Sequence, residues 1–492
     1  MIKNRKPIDS TNLLKPQIKH VQTLVDSLNK SNFAFDASET GTGKTFSASA
    51  VAREVGAPTF VICPKAVIPS WKKVSKEFNV NLLAVKNYES LIRANKKSHY
   101  TSFYHEETDK VNKDGELIIN KVLRFNKRIP ADALIIFDEV HRCKALESTT
   151  SELLTTIREQ GFKCLVLSAS AATNPLEMKA LGYVSKLHNH KDHNNFKRHW
   201  AQAMGAEYTG QFGTMTFDPQ SPKALAGMKY VHDYFFKKSR CASRLTTKQM
   251  KSFFPDNHIM AESMDCGKNT DKINKVYDQM EAELAMLDEH SANYKPHIFS
   301  ILMKARRHSE LLKVPTFVEQ ITEAIQDGKS PAVFLNFNES IDAVVQRLEK
   351  IYGTKKSIRE NGEIKIVTVR GGQSAEKRQQ NIDDFQDNKA RIIVCNLAAG
   401  GTGVSLHDLS GDHPRTSIIS PSYSAINLLQ ALGRIFRANA KTTCIQKIIF
   451  AHGTIEEHAC HRVSARLDCL STLNAGDLSG LTIDIPTDIS FD

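Results

Sequence analysis

The segment Ser38–Thr45, with the sequence SETGTGKT, constrains the fold of this chain more than any other stretch. It closely matches the glycine-rich pattern of phosphate-binding loops, with Ser at its first position where Gly or Ala is commoner. A short apolar run at 32–36 precedes it, and an alanine-rich run at 46–54 follows it. Because Gly41 and Gly43 have no Cβ, backbone N–H groups there can close on phosphate oxygens. The pattern predicts a buried strand, a phosphate-binding turn and a helix, in that order.

The same loop carries the side chains that a bound nucleoside triphosphate requires. Lys44 is predicted to reach the β- and γ-phosphates, and the Thr45 hydroxyl is predicted to hold a Mg²⁺ ion. The helix that begins at this point adds a favourable dipole for an anion. ATP and Mg²⁺ are therefore the predicted cofactors. The loop residues predicted to contact the nucleotide are Thr40, Gly41, Thr42, Gly43, Lys44 and Thr45.

Two acidic residues supply what hydrolysis would need. Asp138 and Glu139 directly follow the apolar run 134–137. The carboxyl end of a buried strand is where the metal ligand of such a fold belongs. Asp138 is predicted to bind Mg²⁺, directly or through water, and Glu139 to orient and activate the attacking water. With the phosphate-binding loop upstream, this pair predicts an ATPase.

A further group of candidate catalytic residues lies near residue 430. Gln430, Arg434 and Arg437 fall in a segment that the pattern predicts to be helical, with both arginines on one helical face. Two guanidinium groups suit a phosphate that gains negative charge in the transition state, although a solvated basic face is the alternative. Gly403, in the glycine-rich stretch 400–403, is also predicted to approach the nucleotide. Because these residues follow a second set of strands, we expect them to reach the nucleotide only when two lobes close.

Short apolar runs alternate with helix-like segments in two parts of the chain. This pattern predicts an α/β fold with two parallel-sheet lobes. The strand-like runs are 60–63, 133–137 and 164–167 in the first lobe, and 332–335, 364–369, 391–395 and 416–419 in the second. The predicted organisation is a first lobe at 1–180, a mostly helical insertion at 181–315, a second lobe at 316–470 and an acidic, flexible tail at 471–492. Two insertions are predicted to be a hairpin or loop at 99–114 and a β-hairpin at 206–221.

Composition bounds the partners and the compartment. The chain of 492 residues carries a formal net charge of +12, which favours a polyanionic partner, although simple solubility charge would look the same. No apolar run approaches the ~20 residues that a membrane span needs, and no secretory signal follows the basic N-terminus. The nine cysteines are scattered without a C-x-x-C pair, which suits reduced thiols. We therefore expect no membrane partner and no secretion: the protein is cytoplasmic in a prokaryotic, phage or viral setting and nuclear in a eukaryote.

Two clusters, one of histidines and one of histidines and cysteines, are candidate metal sites. One comprises His188, His190, His193 and His199, and the other comprises His458, Cys460, His461 and Cys469. Neither has the spacing of a zinc module, so a structural zinc site is disfavoured.

The order of these motifs resembles that of superfamily 2 helicases, over about Leu14 to Leu470. The details look most like the SWI/SNF-related ATP-dependent DNA translocases. The segments that carry this resemblance are Val61–Trp71, Asn87–Leu91, Leu167–Asn174, Phe253–Pro255 and Gly453–Glu457. Phe212-Gly213 and Leu312–Pro315 look most like the annealing-helicase branch, with viral and phage branch-migration helicases as the alternative. The resemblance implies two RecA-like lobes with a brace between them.

The resemblance also implies roles for particular residues. Gln17, after Pro16, would read the adenine ahead of the phosphate-binding loop. The residues that would line a nucleic-acid track across both lobes are Pro64, Lys65, Asn87, Tyr88, Asn336, Phe337 and Gly372. The implied partner is duplex, forked or branched DNA, with single strands possible and RNA less favoured, and the protein is expected to be monomeric.

The function expected from these features is ATP-driven movement on DNA that remodels or anneals forks and junctions. One alternative is a strand-separating DNA or RNA helicase, which a wedge hairpin in the insertion at 99–114 would favour. The other is a non-hydrolysing, ATP-dependent scaffold on nucleic acid. Lys44, Asp138, Glu139 and the two arginines, present together, argue against the scaffold.

Overall fold

The structure is a computed structural model that describes residues 8–93, 104–113, 116–169, 171–172, 174–209, 214–218, 221–287, 294–353, 363–397, 404–422, 425–454 and 456. These residues form two compact units, the first ending at Met250 and the second beginning at Lys251. Each unit is built on a six-stranded parallel sheet with helices around it, so the predicted α/β fold class is confirmed. Each of the seven apolar runs predicted to be strands forms one.

Among its described residues, the first unit contains ten strands and eight α-helices. The strands are β1 (Phe33–Asp36), β2 (Thr59–Cys63), β3 (Leu82–Asn87), β4 (Tyr104–Lys113), β5 (Glu116–Phe125), β6 (Leu134–Asp138), β7 (Lys163–Leu167), β8 (Ala206–Thr209), β9 (Thr214–Phe217) and β10 (Ala242–Ser243). The helices are α1 (Lys15–Ser31), α2 (Lys44–Val55), α3 (Ile68–Glu77), α4 (Tyr88–Arg93), α5 (Thr149–Gln160), α6 (Lys179–Val184), α7 (His193–Asn195) and α8 (Pro222–Asp233). The parallel sheet has the order β10-β1-β7-β6-β2-β3. The expected strand, turn and helix around the glycine-rich loop are therefore β1, the loop and α2.

Both faces of the first sheet are buried, which is why its strands read as continuous apolar runs. Along β2, Phe60 and Ile62 pack into one hydrophobic core, and Val61 and Cys63 pack into another on the opposite face. The same alternation holds along β1, β6 and β7. Because successive side chains of a strand point to opposite faces, each strand contributes to both cores.

The second unit contains six strands and six helices in the part of the chain that the structure describes. The strands are β11 (Asn257–Met264), β12 (Ser330–Leu335), β13 (Ile366–Val369), β14 (Ile392–Asn396), β15 (Arg415–Ile419) and β16 (Cys444–Ala451). The helices are α9 (Thr270–Ala285), α10 (Tyr294–Leu312), α11 (Val314–Gln326), α12 (Asn338–Tyr352), α13 (Ala375–Gln386) and α14 (Ala425–Leu432). The strands form one parallel sheet with the order β11-β16-β15-β12-β14-β13.

The predicted helical segment 181–315 contributes strands to both sheets. β10 extends the first sheet beside β1, and β11 extends the second beside β16. Helices α6 to α10 lie in the same segment, which also contains β8 and β9. No helix among the described residues is both long enough and apolar enough to cross a membrane.

Two β-hairpins interrupt the first unit. β4 and β5 pair antiparallel from Tyr104 opposite Phe125 to Lys113 opposite Glu116, which confirms a hairpin at the first predicted insertion and extends it to residue 125. At its base the Phe125 N–H donates to Gln160 Oε1 at 2.8 Å, and Gln160 Nε2 donates to the Phe125 carbonyl at 3.0 Å. β8 and β9 form the second hairpin, as predicted at 206–221.

A buried ion pair ties two helices of the second unit to the residues after β16. Lys313 Nζ lies 2.6 Å from Glu456 Oε2, and the two side chains are 2% and 7% exposed. The hydroxyls of Ser309 and Tyr277 donate to Glu456 Oε1 at 2.5 and 3.2 Å. The Ala451 N–H donates to Oε2 at 3.2 Å. The carboxylate is thus surrounded by one cation and three donors, which is what a buried charge needs.

Candidate active site

The glycine-rich loop leaves the carboxyl end of β1 and has the backbone that its glycines were expected to allow. Gly41 and Gly43 have φ angles of 82° and 85°, a region that side chains with a Cβ rarely adopt. A Cβ at Gly43 would also lie 2.7 Å from Gln17 Nε2. The backbone conformation therefore favours glycine at position 43, and a Cβ there would displace the Gln17 amide.

Lys44 folds its ammonium group back over the start of the loop. Its Nζ donates to the carbonyl oxygens of Ser38 at 2.9 Å and Glu39 at 3.1 Å. The Thr42 hydroxyl donates to the same Glu39 carbonyl at 2.8 Å. The cation is thus held inside the loop, where phosphate oxygens would be competing acceptors.

Gln17 lies at the start of α1 and is 3% exposed. Its Oε1 accepts a hydrogen bond from the Leu14 N–H at 2.8 Å, and its Nε2 donates to the Thr42 carbonyl at 3.0 Å. The predicted adenine-reading residue is thus connected directly to the phosphate-binding loop.

Asp138 ends β6 and is fixed at two points. Trp71 Nε1 donates to Asp138 Oδ2 at 2.7 Å, and the Tyr88 hydroxyl donates to the Asp138 carbonyl at 2.8 Å. Burial, followed by the adjacent Glu139 carboxylate, raises the pKa of Asp138 to about 6, against the opposing effects of Trp71 and Lys44. Asp36, just before the loop, and Asp138 both lie opposite Leu167 of the strand between them, so the loop and the acidic pair leave the same edge of the sheet.

Glu139 occupies a strained backbone conformation. Its φ of 56° is in the left-handed region, which is uncommon for a residue other than Gly, Asn or Asp. Its Oε2 lies 3.2 Å from His141 Nδ1. Strain of this kind recurs where a side chain must be aimed for function, which fits the proposed water-activating role.

A prediction follows from the contact of Trp71 with the Asp138 carboxylate. Trp71→Phe removes the N–H that orients this carboxylate, so the Mg²⁺ concentration for half-maximal ATPase activity is expected to rise about tenfold. A Mg²⁺ titration at fixed ATP measures it. Tyr88→Phe is the matched control, because its lost hydroxyl bonds the Asp138 backbone and not the carboxylate. Equal effects of the two substitutions would contradict the orienting role.

Sequence reasoning missed a buried polar group beneath the loop. Asp36, the last residue of β1, is fully buried and accepts the Ser38 N–H at 2.9 Å, and its Oδ2 lies 3.1 Å from His20 Nε2. Burial raises the pKa of Asp36, but His20, Lys44 and Ser38 outweigh it, so the pKa lies below its usual value. An Asp within an apolar run was the available signal.

The second unit corrects the prediction that Arg434 and Arg437 lie on a helix. α14 ends at Leu432, and a turn follows in which the Arg434 N–H bonds the Ala431 carbonyl at 3.0 Å. Gly433 at the end of the helix favours this termination, because glycine costs more conformational entropy in a helix than other residues. Both guanidinium groups still converge, since Arg434 Nη1 and Arg437 Nη2 donate to the Val404 carbonyl at 3.1 and 2.9 Å.

Of the two other candidate residues in this unit, the structure describes Gln430 but not Gly403. Gln430 lies in α14, is 3% exposed, and its carbonyl accepts Arg434 Nε at 2.6 Å. The Gln430 Nε2 group is buried without a hydrogen-bond acceptor among the described residues. Gly403 lies outside the described residues.

The nucleic-acid candidates of the first unit follow β2 and β3. Pro64 is buried and Lys65 is exposed at the start of a short 3₁₀ turn. Asn87 Nδ2 donates to Glu89 at 2.8 Å, and Tyr88 is 1% exposed with its hydroxyl bonded to the Asp138 carbonyl. Of these four residues, Lys65 has the side chain best placed to reach an outside ligand.

Asn336 and Phe337, the candidates after β12, are engaged by a buried carboxylate. Glu310, 2% exposed, accepts the N–H groups of both residues at 2.9–3.1 Å and Asn336 Nδ2 at 2.7 Å. Asn336 Nδ2 also lies within hydrogen-bond distance of Ser420 and the Pro421 carbonyl. Gly372 has a φ of 85°, and no heavy atom outside residues 371–373 lies within 4 Å of where a Cβ would be. Gly372 therefore leaves an open backbone approach, whereas the donors of Asn336 already have acceptors.

No group of three or more metal-ligating side chains occurs among the described residues. His188 packs against Phe196 and Trp200 with ring centroids 5.0 Å away, and burial lowers its pKa to about 4. The second group, at 458–469, lies outside the described residues.

Comparison with known proteins gives this architecture a family. The model of the type III restriction enzyme res subunit matches residues 10–172, and that of the helicase conserved C-terminal domain matches residues 313–439. The chain belongs to the superfamily 2 helicases, ATPases that act on nucleic acid, and its two parallel-sheet units are their RecA-like lobes. This membership agrees with the predicted enzyme and argues against a non-hydrolysing scaffold.

Among individual relatives, a protein of Acanthamoeba polyphaga mimivirus, provisionally named an ATP-dependent RNA helicase, is 31% identical over 481 residues. That alignment covers 96% of this chain and 85% of the viral protein. The DNA repair and recombination protein RAD54 of Saccharomyces cerevisiae is 30% identical over 107 residues, which are 21% of this chain and 12% of that protein. The Sulfolobus solfataricus SWI2/SNF2 ATPase core in complex with dsDNA aligns over 96% of both chains with 15% identity and a TM-score of 0.36. That score is too low to relate individual elements.

Proposed function

We propose that this chain is an ATP-driven translocase on duplex or branched DNA that remodels or anneals forks and junctions. The observation that carries the ATPase part is the meeting of the Lys44 loop with the Asp138 carboxyl at the ends of parallel strands in one lobe. The DNA part is supported by the SWI/SNF-type sequence motifs and by the local similarity to RAD54. Because the viral relative is named an RNA helicase, RNA is the main alternative substrate.

In this proposal the first lobe binds and hydrolyses ATP. Backbone N–H groups of the loop and the Lys44 ammonium bind the phosphates. The Thr45 hydroxyl and the Asp138 carboxylate are oxygen donors of the kind that Mg²⁺ prefers, and bound Mg²⁺ would neutralise phosphate charge. Glu139 orients water for attack on the γ-phosphate. Gln17 contacts the adenine.

The second lobe contributes Arg434 and Arg437, whose guanidinium groups stabilise the negative charge that develops on the phosphate during phosphoryl transfer. Their convergence on the Val404 carbonyl supports a joint role, because the two groups already share one neighbourhood. ATP binding and hydrolysis would alternate the lobes between closed and open arrangements. If each lobe has its own nucleic-acid-binding site, this alternation moves the protein along one strand.

The DNA contacts are proposed to be mainly to the phosphate backbone. Lys65 and the open backbone at Gly372 are the accessible members of the predicted track, and a net charge of +12 favours a polyanion. Backbone contacts give little sequence preference and strong salt dependence.

The test is the ATPase rate measured against single-stranded, duplex, forked and four-way DNA, with RNA as the control. We expect the rate to rise at least about tenfold with duplex or branched DNA, and the stimulation to fall steeply between low and moderate salt. RNA should stimulate less. Equal or greater stimulation by RNA would overturn the DNA assignment, and no stimulation by any nucleic acid would overturn the translocase.

Strand separation is the second candidate, because a long hairpin lies at the insertion where a wedge would favour a helicase. β4 and β5 pair over ten positions on each strand and are anchored at Gln160. At about 3.3 Å per residue such a hairpin is ~33 Å long, which is enough to reach well beyond the sheet. Displacement of a labelled strand from a tailed duplex would favour this candidate, and annealing without displacement would favour the translocase.

A further inference from the structure

The first unit ends in a short segment that runs along the phosphate-binding loop. We call residues 242–247 the exit strap, because the chain passes through them shortly before Lys251, where the second unit begins. Ala242 and Ser243 form β10 and pair with Phe35 and Asp36 of β1. The strap therefore continues beside the strand from which the loop emerges.

Backbone hydrogen bonds join the strap to the first residues of the loop. The Ala37 N–H donates to the Ser243 carbonyl at 2.9 Å, and the Glu39 N–H donates to the Leu245 carbonyl at 3.0 Å. In return, the Leu245 N–H donates to Ser38 Oγ at 2.9 Å. The pairing thus extends past the end of β1 and into the loop itself.

The Glu39 carboxylate adds a second connection, made by its side chain. Its Oε1 accepts Arg244 Nη2 at 2.9 Å, and its Oε2 accepts the Thr247 N–H at 2.7 Å. The Glu39 and Arg244 side chains are 30% and 15% exposed, so the pair is partly shielded from water. One loop carboxylate therefore holds two points of the strap.

Lys44 contacts the same two loop residues. Its ammonium donates to the carbonyls of Ser38 and Glu39. A phosphate in the loop competes for this ammonium, because a charged acceptor binds a cation more strongly than a neutral carbonyl. Nucleotide binding would therefore change the hydrogen bonding of the two residues that hold the strap.

Arg244 is incompletely satisfied in this arrangement. Its Nε and Nη1 groups are buried without a hydrogen-bond acceptor among the described residues. An unpaired buried donor is unfavourable, so these two groups gain if the strap moves to give them an acceptor.

We propose that the exit strap senses the nucleotide state of the loop and passes it to the chain entering the second unit. Glu39 is the connecting residue, and Arg244 is a positioning residue that acts through it. This inference rests on the proposed function only in requiring that the loop binds ATP. It does not depend on which nucleic acid the protein acts on.

Hydrogen exchange of the full chain tests the proposal directly. The readout is exchange of the Leu245 and Thr247 amides without nucleotide, with ADP and Mg²⁺, and with a non-hydrolysable ATP analogue and Mg²⁺. In the wild type we expect the exchange rate of at least one amide to change about tenfold between the nucleotide-free and analogue-bound states. In Arg244→Ala the change should fall below about twofold while the analogue still binds. Arg244→Lys should retain part of the response.

The control is Lys248→Ala, which removes a positive charge from an exposed position just beyond the strap and should respond as the wild type does. The proposed relay from the loop through the exit strap is overturned if a saturating analogue leaves the exchange rates of both wild-type amides unchanged. It is also overturned if those rates change as much in Arg244→Ala as in the wild type. Failure of the wild type to bind nucleotide would overturn the proposed function together with the relay. A structural clamp alone predicts faster exchange in Arg244→Ala in every state, with the nucleotide response preserved.

A second readout separates coupling from binding. The ratio of nucleic-acid-stimulated to unstimulated ATPase should fall about tenfold in Arg244→Ala, with the unstimulated rate and the KM for ATP within about threefold of the wild type. A proportional loss of both rates would contradict the relay, because it would indicate damage to the loop itself.

Discussion

Replacing Asp138 with asparagine is expected to lower the ATPase rate at least about a thousandfold while making the folded protein more stable. The loss of activity follows from removing the charge of the proposed Mg²⁺ ligand. The gain in stability follows from burial, because the ionised carboxylate lies away from water beside Glu139. Asparagine has nearly the same shape and keeps an oxygen that can accept the Trp71 N–H.

The sign of the stability effect comes from the pKa of Asp138. Burial and Glu139 raise this pKa from 3.8 to about 6. A carboxyl whose pKa is higher in the folded state favours folding when protonated, and this contribution is lost as the pH rises through about 6. At pH 7.5 the wild type has lost it, so the asparagine variant should unfold at a temperature about 2–5 °C higher.

Thermal unfolding at pH 7.5 and at pH 5 measures this difference, which should shrink at the lower pH. Asp132→Asn is the matched control, because Asp132 is exposed and the chemical change is the same. An unchanged or lower unfolding temperature for Asp138→Asn, with activity lost, would show that the folded protein does not disfavour the charge of Asp138.

Removal of the Glu456 carboxylate is expected to have the largest effect on stability. Glu456→Ala leaves the Lys313 ammonium buried without its counter-charge and deprives Ser309, Tyr277 and the Ala451 N–H of their shared acceptor. Breaking one side of a buried pair costs about 3–5 kcal/mol, so the unfolding free energy of the second unit should fall by that amount. Denaturant unfolding followed by a probe in the second unit measures the change.

The matched control is Glu283→Ala, which breaks the surface pair with Lys304 and should shift the unfolding midpoint only slightly. The double variant Lys313→Met with Glu456→Leu should recover part of the loss, because it removes both charges together. A double variant as unstable as the sum of the two single substitutions would contradict the ion-pair account.

The pH dependence of this unit should follow the same carboxylate. Burial raises the pKa of Glu456, but Lys313 and the surrounding donors outweigh it and hold the pKa below the ordinary value of 4.5. A lowered carboxyl pKa stabilises the fold above the unfolded-state pKa, and the contribution disappears as the pH falls through the folded-state value. The stability difference between wild type and Glu456→Ala should therefore be constant near neutrality and shrink below about pH 4.5.

The sequence predicted the strands that are apolar on both faces, because β2, β6, β12 and β14 have continuous apolar runs that no helix pattern explains. It did not predict β10, since two residues carry no periodicity and their position depends on pairing with β1 more than 200 residues earlier. β11 falls in the segment predicted to be mostly helical, because its sequence, NHIMAESM, has an apolar run of only three residues. Tertiary pairing, which local patterns do not encode, decided both.

In the candidate site, too, contiguous motifs were predictable and contacts between distant residues were not. The loop glycines, Lys44 and Asp138 were predictable because each motif is contiguous and its chemistry depends on residue type. The Trp71 contact with Asp138 and the His20 contact with Asp36 were not, because each joins residues that are distant in sequence. The prediction of a helix through Arg434 and Arg437 was wrong for a local reason. The helical pattern of the sequence continues past Gly433, although the helix itself ends at Leu432.

The pairing of β11 with β16 has a consequence for synthesis on the ribosome. Asn257 pairs with Cys444, so β11 leaves the ribosome 187 residues before its neighbour in the sheet exists. At about 5–20 residues per second the nascent chain carries this unpaired strand for roughly 10–40 s. An unpaired strand edge is a template for association with other chains. Efficient production of this protein should therefore depend on chaperones that shield the nascent second unit, and slower translation should increase aggregation.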